Sequence, residues 1–323
     1  MLMDTENIAP LLSTHQLSVG YGSNAVLTDI NIALNAGELV CFMGPNGIGK
    51  STLIKTLMGL QQPLSGEFKF SSNETRERQL AVVLTDRIQH PQLTVHELIT
   101  LGRYPYLSWS LSLKSDDKKI IDQAIHQARV QHLTNKKISE LSDGQMQMVM
   151  IARALAQETP ILLLDEPTAH LDLNNRVEIM NLLKRLTRET NRGILLATHE
   201  LDLALQTADK VWIATPAKTL KTGIPEDLVL DGSFDEVFQF KGFDLKTGKI
   251  EHPVTQAKTV KLVGSGHEFL WTKNALERNG FEVNDRGCAS IEIEKKNNSI
   301  SWLVNDYRFG KLASLLEYLN NND

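Results

Sequence analysis

The chain has 323 residues, about twice the length of a typical domain, so one large domain joined to a smaller one is expected. Lys and Arg number 34 against 39 Asp and Glu, a net charge of -5, which excludes a surface that is a nucleic-acid footprint throughout; no nucleic-acid partner is expected. Apolar residues at 41% and charged residues at 23% fit a soluble globular chain, and two cysteines, Cys41 and Cys288, are too few for a disulfide framework or a four-ligand zinc site and point to a reducing compartment.

Met1 to Leu12 carries Asp4 and Glu6 and lacks a basic start followed by an apolar stretch, so it does not read as a secretory signal, and residues 1–14 are expected to be a tail. Strand-like stretches follow at Gln16 to Tyr21, Ile30 to Leu34 and Leu39 to Met43, the last running into a glycine-rich turn and a helix over Ser51 to Leu60. Ser71 to Arg78 reads as a polar surface excursion before an apolar strand, Leu80 to Leu84. Helical patterns dominate Thr94 to Gly102, Ser115 to Leu133 and Gly144 to Ala156, and the apolar strand Ile161 to Leu164 comes next. Val177, Met180, Leu183 and Leu186 recur at helical spacing, giving one buried face to a helix that ends near Asn191 to Gly193. Strands at Ile194 to Ala197 and Lys210 to Ala214 complete an alternation that implies a largely parallel sheet with helices on its faces. Apolar runs such as Ile161 to Leu164 fall far short of the roughly 18 residues a spanning helix needs, so a membrane role has to come through a partner.

From about Gly223 short elements separated by Gly and Pro lead to Pro253. Thr259 to Val263, Glu268 to Asn279, Ala289 to Glu294, Ile300 to Val304 and Lys311 to Leu319 then read as strand, helix, strand, strand, helix. Residues 256–323 are expected to form a small second domain that modulates activity or assembly, near the size at which a lone core is marginal. Gly264-Ser265-Gly266 has only two glycines between a strand and a helix and is read as a tight turn.

Three motifs carry chemistry. Gly44-Pro45-Asn46-Gly47-Ile48-Gly49-Lys50-Ser51-Thr52 fits the G-x-x-x-x-G-K-[ST] phosphate loop: glycines let N–H groups turn toward phosphate oxygens, Lys50 reaches the β and γ phosphates, and the Ser51 hydroxyl can ligate Mg2+. Ile161-Leu162-Leu163-Leu164-Asp165-Glu166 is an apolar strand that delivers two carboxylates to its end, Asp165 for the magnesium shell and Glu166 to orient and deprotonate water. Leu141-Ser142-Asp143-Gly144-Gln145 stands at a helix start able to receive an anion, although Ser or Asp there is also an ordinary N-cap.

Taken in chain order, the three motifs resemble the signature of the ATP-binding cassette ATPases, over roughly His15 to Gly248. The resemblance implies a phosphate-loop NTPase fold, α/β with a mixed sheet core, an antiparallel β subdomain and a helical subdomain, spanning 15–250, followed by the small α+β domain. It implies ATP and Mg2+ as ligands, His199 in Ala197-Thr198-His199-Glu200 as switch histidine, Asp172 in a dimer-contacting loop, and Tyr21 against adenine. It also implies that two chains pair head to tail, Leu141 to Gln145 of one closing on the γ-phosphate held by the other. Leu101 to Leu107 (LGRYPYL) and Ala152 to Gln157 (ARALAQ) look like the subgroup that energises import of iron-siderophores, haem or cobalamin. That implies a peripheral homodimer on the cytoplasmic face of the bacterial inner membrane, with two membrane-spanning permease subunits and an external binding protein. The alternative is a soluble cassette ATPase of regulatory or DNA-repair type. The sequence does not tell which chelate is carried.

Three departures from the family pattern stand out. Asp86 falls where a magnesium-sensing glutamine is usual, with Gln89 close by, and a carboxylate there can still ligate the ion. Asp143 replaces a common glycine and is expected to cap its helix and point away from nucleotide. Met146 and Met148 replace frequent basic residues, leaving a softer packing face.

Overall fold

The computed structural model describes residues 9–84, 92–109, 112–240, 243–246, 249–250, 258–287, 289–296 and 299–321. The chain divides into two compact units, Met1–Gln239 and Phe240–Asp323. The strands of the first are β1 (Leu12–Tyr21), β2 (Asn24–Ile30), β3 (Ala33–Leu34), β4 (Leu39–Met43), β5 (Ser65–Phe70), β6 (Leu80–Val83), β7 (Ile161–Asp165), β8 (Gly193–Ala197), β9 (Lys210–Ala214) and β10 (Leu220–Gly223). Its helices are α1 (Lys50–Met58), α2 (Arg76–Gln79), α3 (Val95–Thr100), α4 (Ser115–Gln127), α5 (Asp143–Ala156), α6 (Leu173–Thr190), α7 (Leu201–Thr207), α8 (Pro225–Leu230) and α9 (Ser233–Phe238).

Two sheets organise this unit. The antiparallel one centres on β1, which pairs with β2, β3 and β5. The expected tail is corrected here: Leu12 is buried, pairing with Leu34 and Phe70, and the Thr14 hydroxyl donates to Ile30 O at 2.7 Å while accepting from Ile32 N at 3.0 Å. A threonine satisfied by backbone groups sits inside yet reads as polar, which hid the start of the strand.

The second sheet has the order β10-β9-β4-β8-β7-β6, parallel except for β10 against β9. Every residue of β4 and β8 is buried, as are Ile161 to Leu164 of β7, the pattern of a parallel sheet covered on both faces. Because β4, β7 and β8 run the same way, their C-terminal ends and the loops beyond them lie along one edge, and the register aligns Ala197 with both Phe42 and Asp165. Helices α3, α4 and α5 pack on one another as a helical group. The helix expected through Leu133 stops at Gln127, because Arg129 takes a left-handed φ of 58° and the chain continues as a 3-10 turn, Gln131–Leu133. Val177 is exposed, so the buried stripe of α6 rests on Met180, Leu183 and Leu186.

The second unit contains a short hairpin, β11 (Phe243–Asp244) with β12 (Lys249–Ile250), and the strands β13 (Lys258–Val263), β14 (Phe281–Val283), β15 (Ala289–Lys296), β16 (Ser299–Val304) and β17 (Tyr307–Phe309). Its helices are α10 (Gly266–Arg278) and α11 (Leu312–Asn321). The sheet order is β14-β13-β15-β16-β17, with β13 parallel to both neighbours. Val260, Leu276, Phe281, Ile291, Val304 and Leu315 form its core, and Trp302 Nε1 donates to Thr272 Oγ1 at 2.8 Å. The hairpin belongs to this unit, so the cassette ends at Gln239 and not at the expected residue 250; Gly and Pro punctuation marks turns without saying which side they join. Among the described residues no helix is long and apolar enough to cross a membrane.

Candidate nucleotide-binding and catalytic site

Strand β4 ends at Met43 and the phosphate loop carries the chain into α1. Gly49 has a φ of 111° and a Cβ there would lie 2.8 Å from Val26 Cγ2, so only glycine fits this corner. The first turn of α1 holds no acidic residue and no side chain caps it, which leaves its N–H end open to an anion. Lys50 is 6% exposed, and its Nζ donates to Gly44 O at 2.8 Å and to Pro45 O at 3.2 Å. Burial pushes its pKa down, against the opposing pull of Glu166 and Asp165. The exposed Tyr21 ends β1 and its hydroxyl meets Thr52 Oγ1 at 3.5 Å, which places this ring beside the loop.

Asp165 closes β7 opposite the loop. The Ser51 side chain stands beside its carboxylate, and its Oδ1 is buried without a partner. Burial raises its pKa, the Ser51 hydroxyl lowers it, Glu166 raises it, and Lys50 and Lys55 lower it. A hydroxyl and an orphaned carboxylate oxygen side by side fit a hard divalent cation such as Mg2+, which takes few protein ligands. Glu166 holds a left-handed φ of 49°, with its N–H on Ala197 O at 2.9 Å. Its Oε1 lies 3.7 Å from His199 Nδ1, so the next strand end brings the histidine to the acid.

The signature begins α5. Ser142 is the N-cap: its Oγ accepts from Gln145 N at 3.3 Å and the Gln145 side chain accepts from Ser142 N at 3.2 Å. The capping role expected of Asp143 therefore falls to Ser142, because a serine one position earlier with glutamine three further on completes a reciprocal box, and Asp143 becomes the first helical residue. Gly144 is buried against Asn175, and Met148 is buried too. Asp172 caps α6, accepting from Asn175 N at 2.9 Å and from Asn175 Nδ2 at 3.0 Å. Asp86 and Gln89 lie outside the described residues. Sequence reasoning missed Arg176 and Glu200, which pair at 2.8 Å beside His199; nothing in their spacing marks two charged residues on separate elements as partners.

This edge defines a phosphate-loop ATPase. Residues 27–169 match the family model described as ABC transporter, and residues 257–320 match the one described as iron ABC transporter C-terminal domain. The chain belongs to the ABC transporter ATP-binding proteins. It is 35% identical to an uncharacterized ABC transporter ATP-binding protein of Methanocaldococcus jannaschii, covering 79% of this chain and 92% of that one. It is 34% identical to the iron(3+)-hydroxamate import ATP-binding protein of Bacillus subtilis (75% and 93% covered) and 31% identical to the ferric enterobactin transport ATP-binding protein of Escherichia coli (72% and 89%). Among solved structures it is similar to cbiO1 of Clostridium perfringens, part of the transporter complex cbiONQ, with a TM-score of 0.62 and 27% identity over 70% of this chain and 95% of that one. A dimeric bacterial ABC transporter cassette, MJ0796, aligns with a TM-score of 0.56 and 26% identity over 66% and 98%.

Proposed function

We propose that the chain hydrolyses ATP to drive import of an iron-siderophore, haem or cobalamin, as a homodimer on the cytoplasmic face of the bacterial inner membrane, bound to two permease subunits served by an external binding protein. The observation that carries the catalytic part is the buried, unpartnered Oδ1 of Asp165, whose carboxylate feels Ser51, Glu166 and Lys50. The relatives named for ferric chelates and the match of residues 257–320 to an iron transporter domain support the cargo. The dimeric relative supports pairing.

Lys50 swings from the Gly44 and Pro45 carbonyls to the β and γ phosphates, and the N–H groups of the loop and of α1 take the remaining oxygens. Ser51 and Asp165 would hold Mg2+, which would supply positive charge to the phosphate oxygens. Glu166 orients the attacking water and takes its proton, with His199 steadying the γ-phosphate. Leu141 to Gln145 of the second copy complete the site, so ATP joins the dimer and its hydrolysis reopens it. Residues 256–323 act as an accessory unit on assembly or activity.

Glu166→Gln is the decisive test: ATP binding persists, turnover falls at least about 100-fold, and the chain accumulates as an ATP-bound dimer on size exclusion. Near-normal hydrolysis would remove Glu166 from this role. Deleting the chain and scoring growth on single ferric-chelate, haem or corrinoid sources identifies the cargo; growth unaffected on every source would refute import of this class.

A further inference from the structure

We propose that Arg176 and Glu200 are positioning residues that transmit the arrangement of the Leu171–Asp172 loop to His199 and Glu166. This rests on the proposed function, in which Glu166 and His199 serve hydrolysis in a dimer, and on the expectation that Asp172 belongs to a dimer-contacting loop. Arg176 lies in the first turn of α6, one turn beyond the cap Asp172. Its Nε donates to Leu171 O at 2.7 Å, and its Nη1 reaches Glu200 Oε1 at 2.8 Å and Oε2 at 2.9 Å. One planar guanidinium thus grips the loop backbone and a carboxylate together, and a fork of fixed shape cannot follow one partner without moving the other.

Glu200 is held from its other side, since its N–H donates to the buried Thr198 Oγ1 at 3.0 Å. Its side chain is only 17% exposed, and the Oε1 that meets Arg176 lies 3.7 Å from His199 Nε2. The other ring nitrogen, Nδ1, lies 3.7 Å from Glu166 Oε1. The imidazole therefore stands between two carboxylates, one proposed to act on water and one tied through Arg176 to the loop. A displacement of Leu171 is carried by three contacts to the ring edge, where a shift of about 1 Å is enough to cost on the order of 100-fold in rate.

The test uses the full chain, with steady-state ATP hydrolysis measured for Glu200→Gln, Arg176→Gln, their combination and Arg176→Lys. Each single glutamine variant is expected to lose about 10-fold or more in kcat with KM for ATP within about twofold, and to retain the ATP-dependent dimer on size exclusion. The double variant is expected to be no slower than the slower single one, because both act through one contact, and Arg176→Lys to recover part of the rate. Unchanged kcat, multiplied losses in the double variant, or loss of the dimer in place of turnover would each overturn the proposal. Glu166→Gln run in parallel separates the failures. If it hydrolyses normally, the underlying reading falls; if it is inactive while Glu200→Gln and Arg176→Gln turn over normally, only the coupling does. Should Glu200→Gln fold poorly, the comparison of Arg176→Lys with Arg176→Gln still decides, equal rates counting against.

Discussion

Lys50 is a cation held inside the protein by two carbonyls, and each of its contacts can be exchanged for a phosphate oxygen without exposing the charge. Lys50→Ala removes charge-assisted hydrogen bonds worth about 1.5–3 kcal/mol, so ATP affinity is expected to fall roughly 10- to 100-fold in a calorimetric titration. An unchanged affinity would mean that the lysine stays on Gly44 and Pro45. Asp165 makes the complementary case. Asparagine keeps the shape of the side chain beside Ser51, but the buried Oδ1 loses its share of negative charge. Asp165→Asn should therefore raise the Mg2+ concentration for half-maximal hydrolysis by about 10-fold or more while metal-free nucleotide binding changes little; an identical magnesium titration would take Asp165 out of the metal shell.

Helix α5 couples to α6 through the smallest side chain available. A Cβ on Gly144 would stand 2.7 Å from Asn175 Cγ, and Asn175 cannot yield because Asp172 holds its amide. Gly144→Ala is expected to destabilise the cassette by about 1–3 kcal/mol through overpacking, and Asn175→Ala in the same chain to restore more than half of that loss in denaturant melts. Additive effects would show that the two helices do not meet there. This contact was not legible in the sequence, for a general reason. Elements whose identity is local could be read: β9 is Lys210–Ala214 as its apolar run indicates, and α5 differs from its expected span by one residue. The phosphate loop and acid strand were legible because their chemistry is contiguous along the chain. Strand β2, a partly polar hairpin arm, and the three-residue strands β14 and β17 are made by pairing and carry too little periodicity of their own. Arg176 with Glu200 and Gly144 with Asn175 exist only after folding has brought separate elements together.

At the scale of the molecule, each unit has a hydrophobic core of its own among the described residues. One is built on Leu163, Leu195, Phe42 and their neighbours, the other on Leu276, Ile291 and Leu315, and each is formed from its own unit's residues. The second is small enough that losing one large side chain consumes much of its stability. Leu276 is fully buried, so Leu276→Ala should cost about 2–5 kcal/mol there and lower or abolish one calorimetric transition. Every residue assigned to nucleotide lies at or before His199, so ATP affinity of that variant should remain within about twofold of the parent chain. Leu163→Ala, in the strand that carries Asp165, should do the reverse: it spares the transition of the second unit and weakens nucleotide binding, since the loss strikes the scaffold of the Ser51–Asp165 pair. The informative contrary result is a single transition that both substitutions move together with ATP affinity. It would mean that the accessory unit is part of the energetic support of the cassette, and that deleting residues 256–323 acts on hydrolysis through stability and not through a separate regulatory contact.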